Sequence, residues 1–113
     1  MKRLIALALV CCSTQAFAAD RKFSYFKDGN ELLTQCTSSS AYDQGVCLGY
    51  VIGAADGLGP RFVAIPENVT AGQTQDVVIK YLRNHPESRN GPAGPLIMFA
   101  LMEAWPKPKP AQK

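Results

Sequence analysis

Histidine and tryptophan occur once each in this 113-residue chain, as His85 and Trp105. A single histidine leaves little scope for catalysis. A nucleophile needs a positioned base, and His85 stands beside Pro86 at what reads as a helix end, with no serine or cysteine set for activation. A histidine in that position more often caps the helix and favours the negative end of its dipole. The nine acidic residues are scattered singly, without the clustering of a metal site. The glycines are spaced for a helix and form no phosphate-binding loop. The expectation is therefore no catalytic residue, no metal and no cofactor. Long apolar runs are missing as well, so nothing reaches the length of about 20 residues that a membrane span needs.

The opening MKRLIALALVCCSTQAFAAD has the pattern of an export signal. Lys2 and Arg3 form its charged start, Leu4 to Cys12 its short apolar run, and Ala16-Phe17-Ala18 its small-x-small cleavage signal. Cleavage after Ala18 is expected, leaving 19–113 as one exported domain. A lipidated Cys11 or Cys12 is the weaker reading, because Val10 and Cys11 are poor residues before such a cysteine. The leader takes two of the twelve basic residues with it and none of the acidic ones, so the mature segment has a net charge of +1. The sequence pI of 8.7 is thus largely a property of the leader, and charge gives no reason to expect a nucleic-acid partner.

Of the four cysteines, Cys36 and Cys47 remain after cleavage. In an oxidising compartment they read as a disulfide. A domain this small benefits from such a staple, worth roughly 2–3 kcal/mol for a short loop. A reactive or metal-binding pair lacks further ligands.

What the chain does have is a helix around which the others can be arranged. Cys47, Tyr50, Val51, Ala54 and Leu58 fall at helix spacing, and Leu48, Ile52 and Ala55 fill another side. A helix apolar all round is one that other elements surround. Gly45, Gly49, Gly53 and Gly57 recur every fourth residue and form one ridge. Each interior glycine costs about 1 kcal/mol against alanine, which predicts a compensating close approach of a neighbouring backbone. The alternative keeps Gly45 and Gly57 as helix-end residues and leaves only Gly49 and Gly53 inside.

Around this helix, residues 19–27 are expected to run extended and to pin one or two of Phe23, Tyr25 and Phe26 into the core. A short helix follows Asp28-Gly29, with Leu32, Leu33 and Cys36 on one side. Thr70 and Gln73 have the spacing of a capping box, opening a helix with Ala71, Thr74, Val77, Val78, Tyr81 and Leu82 on its apolar face. Asp76 and Lys80 form an exposed i, i+4 pair on it. Pro86 stops that helix at His85. A last helix, Pro95 to Ala104, is again apolar almost all round, and 107–113 reads as a flexible tail. The fold class is all-α: a small four-helix domain with a buried central helix and one disulfide. Two nearly all-apolar helices exceed what a lone core hides. This predicts a homodimer covering part of the last helix, against the simpler case that both helices lie inside.

Asp56 and Trp105 are the remaining singular residues. A carboxylate in the last turn of a helix opposes the dipole by about 0.3–1 kcal/mol, so Asp56 is expected to have a partner in Arg61 or Arg89. Trp105 either closes the core or sits in a dimer seam, and the core is the first expectation. Arg61 and Phe62, in the loop after the central helix, are of the residue types that dominate interfaces.

Several segments carry a resemblance. They are Leu32-Leu33-x-x-Cys36; Cys47-x-Gly49-Tyr50-Val51-x-Gly53-x-x-Asp56; Ile65-Pro66-x-x-Val69-Thr70-x-Gly72-Gln73; Val77-Val78-x-Lys80-Tyr81-Leu82-x-x-His85-Pro86-Glu87; and Ala100-Leu101-x-Glu103-Ala104-x-Pro106. Together they resemble the Rap/Tai family of type VI secretion immunity proteins. The resemblance implies a small, helical, often dimeric periplasmic protein that binds and blocks a peptidoglycan amidase effector without turning anything over. Many members carry a second cysteine pair where this chain has Ala64 and Lys107. Its loss implies a loop before Pro66 less tightly tied to the end of the chain. On this reading the inhibitory surface lies in the connectors 57–69 and 85–94, through Arg61, Phe62, His85, Glu87 and Arg89, while Gly49, Tyr50, Gly53 and Asp56 are structural. The competing reading is an exported binding or assembly module of the same fold with no toxin partner; an enzyme ranks well below both.

Overall fold

Four helices succeed one another from Asp28 onward, each opened by a residue able to cap it or by proline. The computed structural model describes residues 25–111, so the leader, its cleavage site and Phe23 lie outside the described residues. The helices are α1 (Gly29–Cys36), α2 (Ala41–Leu58), α3 (Ala71–Asn84) and α4 (Ala93–Ala104), with a 3-10 turn at Pro86–Ser88. The domain is all-α and carries one disulfide, Cys36–Cys47, with the two Cα atoms 5.0 Å apart. The cystine joins the last residue of α1 to the second turn of α2.

Local chemistry accounts for the helix starts. At α1, Asp28 accepts the Glu31 N–H at 2.8 Å while Glu31 accepts the Asp28 N–H at 3.1 Å, a reciprocal box that satisfies two orphan donors. Thr70 and Gln73 make the same box at α3, as their spacing predicts. Ser40 caps α2. The connector before it is held by Ser38, whose hydroxyl donates to Asp43 at 2.7 Å and whose carbonyl accepts from Gln44. Helix α4 begins at Ala93, two residues before Pro95. The first turn of a helix has no internal acceptor for its N–H groups, so a proline there sacrifices no bond, and the Ala93 N–H donates to the Lys27 carbonyl instead.

The core is built from Leu32, Cys36, Cys47, Val51, Ala55, Val63, Val78, Leu82, Ala93, Leu96, Ile97, Ala100 and Leu101. Helix α2 touches all three other helices and is central in that sense, but it is buried along one face only, through Cys47, Val51 and Ala55. The expected close approach along its glycines does not occur. Gly45, Gly49, Gly53 and Gly57 are exposed, and a Cβ placed on any of them would meet nothing within 4 Å. The glycine that closeness requires is Gly29. A Cβ there would lie 2.6 Å from a Leu96 methyl and 2.9 Å from the Arg89 carbonyl oxygen, so α1 can meet the start of α4 only without a side chain. Gly59, with φ +62°, ends α2 in a backbone conformation suited to glycine.

Phe26 is fully exposed and Tyr25 partly so; the tyrosine reaches only the Asn90 carbonyl, through its hydroxyl. Asp76 and Lys80 form no ion pair within 4.0 Å, both side chains standing in solvent. The loop before Pro66 keeps a tie to the chain's end, because the Ala64 N–H donates to the Trp105 carbonyl at 3.1 Å. Trp105 itself is half-buried and packs on the core.

Candidate functional site

The connector 85–94 is held to the start of α1 by backbone hydrogen bonds. The unpaired N–H groups at the start of α1 supply the reason: Gly29 donates to the Gly91 carbonyl and Asn30 to the Arg89 carbonyl, each at 3.1 Å. The Asn30 amide also bonds the Asn90 side chain. Within the connector, Ser88 N–H donates to His85 and Gly91 N–H to Ser88. The result is a bonded connector between α3 and α4, with Glu87 and Asn90 exposed and His85, Ser88 and Arg89 half-buried.

His85 ends α3, its N–H donating to the Tyr81 carbonyl. Its ring lies against that of Tyr81, centroids 4.2 Å apart. Nδ1 is 3.1 Å from Glu87 and Nε2 is 3.8 Å from Glu103, so two carboxylates flank one imidazole. A hydrogen bond from its own backbone, and then one from His85, hold the Glu87 carboxyl below its usual value. Burial, followed by the negative charges of Glu103 and Glu87, pushes the Tyr81 phenol up. A groove of about 280 Å³ opens beside this cluster between α3 and α4, with Val77, Ala100 and Ala104 as its apolar wall and Lys80, Tyr81 and Glu103 as its polar one.

His85 and Glu87 are thus brought together, as their nearness in sequence allows. Arg89 is not at a free tip: its side chain is half-buried and its Nε has no acceptor among the described residues. Arg61 and Phe62 are exposed in the other loop, Phe62 at 45 %. The two loops meet the same end of α4, one through Glu103 and the other through Trp105. Glu103 was not legible as part of this cluster, since nothing local places residue 103 beside residue 85. Tyr50 is half-buried against the core, with the Lys27 ammonium 5.8 Å from its ring centroid. Asp56 does not make the expected tie: no ion pair joins it to Arg61 or Arg89 within 4.0 Å, and it is exposed. Among the described residues, no group of three or more histidine, cysteine or acidic side chains is disposed to hold a metal ion, and no helix is long and apolar enough to cross a membrane.

A family model for Rap1a immunity proteins matches residues 28–106, from the cap of α1 to two residues past α4. The chain belongs to the Rap1a immunity protein family. The match takes in all four helices, the cystine and both connectors, so the membership describes the whole domain and not one motif. A search of curated proteins gives no match. Rap1a immunity proteins are as a class binders of an effector and generally not enzymes, which puts the functional weight on surface and not on a catalytic constellation.

Proposed function

We propose that this protein is a periplasmic immunity protein that binds and sterically blocks a peptidoglycan amidase effector delivered by a type VI secretion system. The observation that carries the reading is the Rap1a match across 28–106. The geometry supports it through the connector 85–94, which is bonded to the start of α1 and exposes Glu87 beside the half-buried His85. A connector held in this way can fill an enzyme cleft without losing much order on binding. Arg61 and Phe62 add a second contact region, and the chain itself performs no chemistry. A homodimer accompanies this role: Phe99 and Met102 stand exposed on α4 at 48 % and 38 %, and a second copy would cover them.

The test is rescue. An amidase effector from the same strain is directed to the periplasm with and without this protein, and lysis is followed. Protection that is lost when Arg61, Phe62, His85, Glu87 and Arg89 are changed to alanine in groups, with thermal stability kept, supports the proposal. No protection against any such effector favours the exported module without a toxin partner, and measurable peptidoglycan cleavage by the purified protein overturns both.

A further inference from the structure

We infer that the hollow between the end of α2 and the loop 59–65 is a receptor for an arginine side chain presented by the partner protein, with Asp56 as its anchor. The inference rests on the reading that this chain binds a protein effector, and it assigns part of that contact to a surface away from the 85–94 connector.

The hollow has a volume of about 400 Å³. Ala55, Val63, Ala64 and Ile65 form its apolar wall, and Asp56 is the only charged residue among the described ones that line it. Asp56 lies in the last turn of α2, where the dipole already places about half a negative charge. Nothing among the described residues neutralises it, although Arg61 is only five residues away. The backbone adds to the same polarity. Pro60 stands where the N–H partner of the Asp56 carbonyl would be and has none to give. The Phe62 N–H turns to Gly59, and the carbonyls of Gly57 and Leu58 likewise find no backbone donor. The Asp56 carboxylate thus stands at an end of α2 rich in open carbonyls, beside an apolar wall.

That combination fits arginine better than any other side chain. Its guanidinium spreads five N–H donors in one plane and can pair with the carboxylate through two of them. Its methylenes and flat face lie on apolar surface at little cost. A lysine ammonium is a compact, strongly hydrated point charge with neither the paired donors nor the flat face.

The probe is the peptide acetyl-Gly-Arg-Gly-amide, titrated into the ¹⁵N-labelled folded protein and followed by amide chemical shifts. The expected result is a weak, saturable set of shifts at Asp56, Gly59, Val63 and Ala64. The citrulline peptide, equal in shape but uncharged, should bind at least about tenfold more weakly, the lysine peptide should fall below arginine, and Asp56→Asn should abolish the shifts without lowering Tm. Shifts that do not saturate, that citrulline reproduces or that survive Asp56→Asn overturn the assignment, and a lysine peptide binding equally well overturns the choice of arginine. If Arg61 fills the hollow in solution, Asp56→Asn and Arg61→Ala will each lower Tm, which also overturns it. The two readings fail separately. Full effector affinity in Asp56→Asn would sink the arginine receptor and leave immunity standing. A working peptide site in a protein that binds no effector would do the reverse.

Discussion

Replacing Gly49 and Gly53 by alanine should make this protein more stable. Both lie inside α2, both are exposed, and an added Cβ at either meets nothing within 4 Å. With no steric term, helix propensity decides, and alanine gains about 1 kcal/mol over glycine at each position. The sites are four residues apart on an open face, so the double variant should gain about 2 kcal/mol. For a domain of this size that is roughly 8–16 °C in Tm, taking about 4–8 °C per kcal/mol. Thermal and urea unfolding of wild type, both single variants and the double variant would measure it, at protein concentrations spanning two decades. An unchanged or lowered Tm at every concentration would refute the reasoning from an open ridge. A loss confined to high concentration would show a second copy seated on the glycines, because a dimer contact is weakened by dilution.

Gly29→Ala should act in the opposite sense. The new methyl would press on the Arg89 backbone, whose carbonyl the Asn30 N–H at the start of α1 holds in place. Overpacking of this kind costs about 1–3 kcal/mol, readable in the same melts. Changing Cys36 and Cys47 together to serine should destabilise by about 3 kcal/mol, from the loop closed by a sequence separation of 11, and a reducing agent should reproduce the loss in wild type without further affecting the variant. The Glu87 carboxyl is held below its usual 4.5 in the folded protein. A depressed carboxylate adds stability that is present above the unfolded value and disappears as pH falls through the folded one. Glu87→Gln should therefore lower Tm slightly at pH 7 and merge with wild type well below pH 4.5; a difference that persists at the acid end would contradict that linkage.

Helix spacing and end signals made much of this fold legible in the residues. The Thr70/Gln73 box, the stop at Pro86 and the clip between Cys36 and Cys47 depend on neighbours in sequence, and such interactions can be read without knowing the tertiary arrangement. The glycines of α2 misled for the complementary reason. Their period is a local fact, but whether a neighbour lies against them is a global one, and here the buried side is the one bearing Cys47, Val51 and Ala55. Gly29 gave no signal, since its need for closeness comes from Leu96 and Arg89, some sixty residues away. The candidate surface divides likewise. His85 and Glu87 meet because they are two residues apart, whereas Glu103 joins them only through the packing of α4 on α3. Asp56 was singled out for its conflict with the dipole, and the expected internal relief is absent.

If the connector 85–94 is the effector-binding surface proposed above, the hydrogen bonds that lash it to the start of α1 bear on the speed of recognition as well as its strength. A segment already in its final shape has no search to make when a target arrives, so encounters between the two proteins can succeed at the first touch. Substitutions on its outer side chains should then leave the rate of capture nearly alone and shorten the lifetime of the complex instead. Cutting the lashings, as loss of the Asn30–Asn90 pair would begin to do, should slow capture itself.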